Sequence, residues 1–294
     1  MNAETEDRYR KLAANFYSKR LDNQVTPKKI GDALLKSSVE YRPAYFRRLR
    51  NALAFDQKEK GFAKAADYIN KIKNPVTKKN APLMLKKQKP KKQKRVKTVS
   101  NDDFLALFEA ADDETKAALY IARTLGCRPA EMANIEVNGN EIKITGAKKT
   151  EGGDRGADRL IQLSSKEANN VAASLELVRG AGDNAMTNIA AKLHRLSRKV
   201  FPKRKLHTSF YSFRHQMGSN LKASGMSREQ IAYVMGHQST ASADVYGNKR
   251  SGGGKVPEIS KKADMGQIRE KHSEFKPTDK TVSRNIDRDS DFSR

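Results

Sequence analysis

The sequence predicts a mainly α-helical protein that carries one small antiparallel β-sheet, and three observations lead there. Apolar residues recur at three- and four-residue spacing between cap signals along most of the chain. One stretch alternates instead: Ile135-Glu136-Val137 and Glu141-Ile142-Lys143-Ile144 flank Asn138-Gly139-Asn140, the signature of a hairpin with an Asn-Gly turn. Finally, the stretch 86–97 holds eight basic residues and no acid, and so divides the chain in two.

Residues 1–85 read as a small helical domain. Leu12, Ala13, Phe16 and Tyr17 share one helical face. Thr26-Pro27 supplies an N-cap and a first-turn proline for a helix over 28–39. Pro43 opens the next helix, with Tyr45, Phe46, Leu49, Ala52 and Leu53 on one side, and Gly61 ends it. Ala65, Ala66, Tyr68, Ile69 and Ile72 define a fourth helix over 62–72. The basic stretch follows within a linker assigned to 86–99. Its charges repel and it has little apolar surface to bury, so it does not fold alone.

A second domain is assigned to 100–251. Phe104, Leu105, Leu107 and Phe108 make 101–111 amphipathic, and 115–124 is a second apolar helix. The hairpin comes next, then a Gly-rich charged loop over 146–158 that reads as mobile, then a third strand over 159–163. Ser164-Ser165-Lys166-Glu167 and Ser227-Arg228-Glu229-Gln230 are capping boxes, and Gly225 and Gly236 are helix stops. Apolar periodicity fades from Gly252, so 252–294 is assigned to a polar C-terminal tail that docks on a partner and is partly disordered, 279–294 above all.

Composition narrows the function. Lys and Arg number 59 against 34 Asp and Glu, a net charge of +25 over 294 residues. Such an excess attracts polyanions, and nucleic acid is the first partner to expect, because each phosphate neutralised releases a counterion. A solvated or ribosome-associated surface has the same composition, so the motifs must decide. There is no long apolar run and no secretory leader, so no membrane partner is expected. The single Cys127 excludes an internal disulfide and a cysteine-rich zinc site, and it fits a reducing cytoplasm. No metal-ligand set and no phosphate-binding Gly-rich loop appears, so neither a metal nor another cofactor is expected.

Four motifs carry chemistry: Gly126-Cys127-Arg128-Pro129-Ala130-Glu131, Tyr211-Ser212-Phe213-Arg214-His215, Met235-Gly236-His237, and Tyr246 nine residues beyond His237. Two arginines can clamp the non-bridging oxygens of one phosphate through their planar forks. A histidine can hydrogen-bond the same group, and a tyrosine hydroxyl can attack phosphorus. Glu131, three residues beyond Arg128, can hold that guanidinium in a salt bridge. Taken singly, each residue has an ordinary structural explanation; together they form a pattern.

That order and spacing resemble the tyrosine recombinase (phage integrase) family over roughly residues 100–250. The resemblance implies a helical core-binding domain followed by a catalytic domain, clamped around duplex DNA. It makes Arg128 and Arg214 the catalytic arginines, with Glu131 as acidic support. His237 hydrogen-bonds the scissile phosphate, and Tyr246 is the nucleophile. The family places a lysine in a β-hairpin as proton donor; Lys149, in Lys149-Thr150, is the first choice and Lys148 the second. The pattern departs at Tyr211, where a histidine is usual, and a phenol with an ordinary pKa near 10 is a poor base at neutral pH. His215 and His207 are nearby imidazoles that can compensate.

The implied reaction is site-specific recombination through a 3′-phosphotyrosyl intermediate, with two duplex sites exchanged by a homotetramer in the cytoplasm or on the nucleoid. Accessory DNA-bending or directionality proteins are possible partners in such systems. Lys86, Lys87, Lys89, Lys91, Lys92, Lys94, Arg95 and Lys97 lie along the phosphate backbone on this reading, with Lys148 as a further DNA contact. Val256, Ile259, Met265 and Ile268 are the apolar candidates for docking on a neighbouring subunit. A type IB topoisomerase or hairpin resolvase shares the chemistry, and a non-catalytic DNA-binding protein on the same scaffold is the alternative from a different class.

Overall fold

The computed structural model describes residues 3–88, 90, 94–147 and 156–270. Lys89, Lys91, Lys92, Lys148, Lys149, most of the loop 146–158 and the segment 279–294 lie outside the described residues, as does the side chain of Lys87. The chain divides into two compact units, between Lys94 and Arg95.

The first unit contains helices α1 (Ala3–Leu21), α2 (Pro27–Lys36), α3 (Pro43–Glu59), α4 (Ala63–Lys71) and α5 (Leu83–Lys87). Thr26 caps α2 by accepting from Lys29 N–H, with Pro27 in the first turn, where its missing N–H is no loss. The core gathers Ala13, Phe16 and Tyr17 from α1, Ile30 and Leu34 from α2, Phe46, Leu49 and Leu53 from α3, and Ala66 and Ile69 from α4. A polar knot is buried beside it: Tyr17 Oη donates to Asp56 Oδ2 at 2.7 Å and accepts from Gln57 Nε2 at 3.2 Å. Tyr45 and Tyr68, expected on the apolar faces, are exposed instead. Aromatic side chains at the edge of a helical stripe present one rim to water. Helix α5 runs two residues into the basic stretch, because Lys86 Nζ reaches back to the Lys79 carbonyl at 2.9 Å.

The second unit is built from α6 (Asn101–Glu109), α7 (Asp113–Leu125), α8 (Ser165–Gly180), α9 (Ala185–Val200), α10 (Phe210–Ala223) and α11 (Arg228–Val234), with a four-stranded sheet. Strands β1 (Ile135–Asn138), β2 (Glu141–Ile144), β3 (Arg159–Gln162) and β4 (Glu258–Ile259) pair antiparallel in sequence order. Helix α7 is central, burying Ala117, Ala118, Leu119, Ile121, Ala122 and Leu125 against α8, the sheet and Phe213 of α10. Asp112 caps its start by accepting from Thr115 N–H at 2.9 Å. Its end is set by Gly126 at φ +58°; a Cβ there would collide with Met217. Pro129 opens a short 3₁₀ turn, Pro129–Asn134, which leads into β1. Both capping boxes form, and Gly225 and Gly236 follow α10 and α11 in the left-handed conformation.

The described part of the C-terminal segment packs on its own unit: residues in the stretch 256–270 pair with it and pack against it. Two residues of β4 pair with β3, Ile161 facing Ile259 and Gln162 facing Glu258. Ile268 is buried with Ala157, Ala232 and Tyr233, while Ile259 and Met265 pack against that group, and Val256 and Ile259 pack beside Met217 and Met235. The open edge of β3 offers unpaired backbone groups, and a short strand in cis satisfies them. Among the described residues no helix is long and apolar enough to cross a membrane.

Candidate active site

Four elements of the second unit converge. Arg128 begins the 3₁₀ turn after α7, Arg214 lies in the first half of α10, His237 follows α11, and Tyr246 ends the 3₁₀ segment Thr240–Val245. The two-residue turn Met235-Gly236 joins them. Arg214 donates through Nη2 to the Met235 carbonyl and through Nη1 to the Gly126 carbonyl at 2.9 Å. Arg128 reaches the adjacent Gly236 carbonyl, 3.5 Å from both Nη1 and Nη2. Two guanidiniums that are 86 positions apart in the sequence are thus seated on neighbouring peptide units.

Glu131 is fully buried and holds Arg128 twice. Oε1 accepts from Arg128 Nη1, and Oε2 accepts from the Arg128 backbone N–H at 2.8 Å. The structure adds a third arginine that the sequence did not reveal. Arg159, the first residue of β3, is 1 % exposed and donates through Nη2 to Glu131 Oε2 at 2.8 Å. Burial raises the Glu131 carboxyl, yet Arg159 and then Arg128 outweigh it and hold the group down at about 2. A signal was present: Arg159 alternates in register with Ile161, which faces the core, and a buried arginine demands an acid.

His237 sits beside Arg214, with Nε2 3.0 Å from Arg214 Nη2. A guanidinium has only donors, so Nε2 must accept and the ring proton resides on Nδ1. The imidazole is therefore neutral. Burial first, then Arg214, Arg128 and Arg159, push its pKa down to about 2. Its Nδ1–H has no protein partner and is the ring's free donor.

The ring of Tyr246 packs near two imidazoles, its centroid 4.9 Å from His215 and 5.1 Å from His237. Arg214 Cζ stands 5.0 Å from the same ring. This placement depends on glycines. A Cβ on Gly218 would come within 3.0 Å of Tyr246 Cβ. Gly247, at φ +70°, packs so closely on α10 that a Cβ would collide with the Ser219 backbone. Lys222 Nζ then binds the Gly247 carbonyl at 3.2 Å, and Ser219 Oγ accepts from Asn248 N–H at 2.9 Å.

The structure thus brings Arg128, Glu131, Arg214, His215, His237 and Tyr246 together. His215 is buried, and burial together with Lys97, Arg214, Arg95 and Lys222 lowers its pKa, so the ring is neutral at physiological pH. Tyr211 stays on the first turn of α10, half-buried, and no described ring contact joins it to Tyr246. His207 lies near His194, ring centroids 6.0 Å apart. Lys94, Arg95 and Lys97 are exposed. Among the described residues no group of three or more His, Cys, Asp or Glu clusters in a way that can hold a metal ion.

Arg128 and Arg159 share the Glu131 carboxylate, and Arg214 stands beside the neutral histidine, so this group of three arginines and one acid carries two more positive charges than negative. Buried charge of one sign is costly unless an anion meets it. A phosphodiester brings one negative charge and a pentacoordinate phosphorane brings two.

No protein-family model matches the chain, and no curated protein does. Solved structures do. Of two structures of a lambda integrase dimer bound to a COC′ core site, one is 15 % identical, with 81 % of this chain and 96 % of the other covered and a TM-score of 0.52. The second is 18 % identical, with 88 % and 80 % covered and a TM-score of 0.51. A lambda integrase tetramer bound to a Holliday junction is 16 % identical, with 84 % and 77 % covered and a TM-score of 0.50. With mostly helical units, a small antiparallel sheet, and this agreement along four-fifths or more of its length, the chain has the fold of the tyrosine recombinases and integrases.

Proposed function

We propose that the chain is a site-specific DNA recombinase that cleaves and rejoins strands through a phosphotyrosine at Tyr246. The observation that carries this reading is the seat of the Tyr246 ring, 4.9 Å from His215 and 5.1 Å from His237 by ring centroid and 5.0 Å from Arg214 Cζ. A merely structural tyrosine has no need of a buried excess of positive charge beside it. The solved relatives of this fold hold core-site duplexes and a Holliday junction, and duplex DNA is proposed as the partner here too.

In the proposed reaction the Tyr246 oxygen attacks a scissile phosphorus. A P–O bond to Tyr246 forms, the P–O5′ bond breaks, and a 3′-phosphotyrosine and a free 5′ hydroxyl result. Arg128 and Arg214 neutralise the charge that develops on the non-bridging oxygens, as fixed donors in a water-poor site do. His237 offers Nδ1–H to the same oxygens. The phenolic proton goes to the neutral imidazole of His215, whose ring centroid is 4.9 Å from that of Tyr246, and Tyr211 is proposed to hydrogen-bond the phosphate or to hold a neighbour in place. Lys149 is proposed to protonate the leaving 5′ oxygen, with Lys148 as the alternative. Attack by a 5′ hydroxyl from a second duplex reverses the chemistry and exchanges strands, and a tetramer on two sites completes the reaction.

A pool of duplexes nicked near a randomised sequence tests the reading without knowledge of the target site. The nick releases the short 5′ product and traps the adduct. A protein–DNA band on a denaturing gel, mapping to the peptide that holds Tyr246 and absent in Tyr246→Phe, is the expected result. Arg214→Lys should reduce the band about 10²–10³-fold, the usual effect of losing one preorganised donor. A band that persists in Tyr246→Phe places the nucleophile elsewhere. Sequences recovered from the adduct, rebuilt as two duplexes, should then support strand exchange; cleavage without exchange points to a resolvase or topoisomerase activity instead.

A further inference from the structure

Arg159 has no role in the reaction proposed above, yet it is among the most completely buried charged side chains of the chain. Among the described residues it makes one ion pair, to Glu131 Oε2 at 2.8 Å, and its Nε and Nη1 have no partner there. Nη1 lies directly under Gly236, where a Cβ would collide with it. Gly236 is therefore glycine for two reasons: a left-handed backbone at φ +61°, and room for this guanidinium. The same Gly236 offers its carbonyl to Arg128, and the next residue is His237.

One side chain thus underlies three parts of the site. Through Glu131 it fixes Arg128; through its packing it supports the Gly236 turn; and the turn carries His237. Its surroundings are settled by elements on every side. Tyr233 Oη of α11 accepts from Leu160 N–H at 2.9 Å, which locks β3 to the helix that ends at the turn. Gln267 Nε2 donates to the Asp158 carbonyl at 3.0 Å, which pins the residue before Arg159. A simple core role would be met better by an apolar residue, because replacing buried ion pairs with well-packed apolar groups is often neutral or stabilising.

We propose that Arg159 is a positioning residue of the active site: an Arg128–Glu131–Arg159 triad holds the phosphate-clamping arginine and the His237 turn in register on one anion. This rests on the phosphoryl-transfer reading, and it makes a claim that reading does not contain. Glu131 is not only the support of Arg128 but the shared partner of two arginines, and loss of Arg159 should be felt at Arg128.

The test uses the full-length chain and two readouts. The first is the rate of adduct formation on the nicked, randomised duplex pool. The second is the affinity for orthovanadate, a phosphorane-like anion, measured by calorimetry. The variants are Arg159→Gln, Arg159→Lys, Glu131→Gln and the double Arg159→Gln/Glu131→Gln, which leaves no buried carboxylate unpaired should the first single variant fold poorly. Arg159→Gln and Glu131→Gln should each slow adduct formation about 10²-fold and weaken vanadate at least tenfold. The double variant should be no worse than either single, because residues acting as one unit are non-additive. Arg159→Lys should recover most of the vanadate affinity and only part of the rate. The acid limb of the rate profile should move to higher pH in Arg159→Gln, since Glu131 loses its stronger cation; a packing role would not move it. Additive losses, or a vanadate affinity in Arg159→Gln equal to the parent's, would overturn the proposal. If the parent forms no adduct, the recombinase reading fails, while the vanadate cycle still decides whether Arg159 positions the anion site.

Discussion

At the scale of single residues, the site is organised by donors that have too few acceptors. His237 illustrates the consequence. Arg214 takes its only lone pair, so protonation would force two cations into contact. Stability should record this. The folded-state pKa, about 2, lies below the ordinary imidazole value of 6.5, so between those limits the unfolded chain binds a proton that the folded chain refuses. The contribution is complete above about pH 6.5 and is lost as pH falls from there toward about 2, and Glu131 adds a loss of the same sign below its ordinary 4.5. Thermal unfolding followed by circular dichroism should therefore show a melting temperature that declines from pH 7 to pH 5. In His237→Asn the decline should be shallower, and an unchanged slope would show that the histidine is not held neutral.

At the scale of elements, the nucleophile is placed by close backbone approach rather than by a long helix. The 3₁₀ segment Thr240–Val245 is too short to hold a fixed direction alone. Its aim comes from Gly247 lying on α10 at Ser219, from Gly218 making room for the Tyr246 Cβ, and from Arg269 pairing with the Gln238–Thr240 stretch. Gly247→Ala adds a side chain at φ +70° and drives it into the Ser219 backbone. Backbone strain of this type costs about 1–3 kcal/mol. The expected outcome is a lower urea midpoint together with loss of the adduct, because Tyr246 must lift away from α10. Gly180, outside the left-handed region and with nothing within 4 Å, provides a control: Gly180→Ala should leave the adduct in place.

At the scale of the whole molecule, two units each bury an apolar cluster of their own. Residues 95–294 should therefore fold without residues 1–94, with a cooperative denaturant transition and an m-value proportionate to their size. A fragment that lacks a transition would show that its core depends on the other unit. The net charge of +25 makes a second prediction. Binding to any duplex should weaken as salt rises, with a log–log slope of about −0.9 per phosphate contacted. Replacing Lys86, Lys87, Lys94, Arg95 and Lys97 by Gln should reduce that slope if the basic stretch follows the backbone, and leave it unchanged if it is only a tether.

Much of this protein is legible in the chain because it is local. Cap residues, the apolar stripe of α7 and the glycine after α11 act on neighbours within a few positions, so helices, hairpin and motif order follow from sequence alone; the turn itself is Gly139-Asn140 rather than Asn-Gly, because Asn138 pairs with Glu141. What escaped has little local signature. Helix α9 carries its buried Ile189 and Leu193 among many cations. Strand β4 is two residues long, below the length at which alternation can be read. Val256, Ile259, Met265 and Ile268 show as sparse apolar residues, and only the free edge of β3 decides that they pack at home. The sequence alone determined which side chains were available for phosphate chemistry. The tertiary structure decided that Tyr246 packs near two imidazoles and that Arg159 joins Glu131, because such contacts link positions whose distance along the chain says nothing about their distance in space.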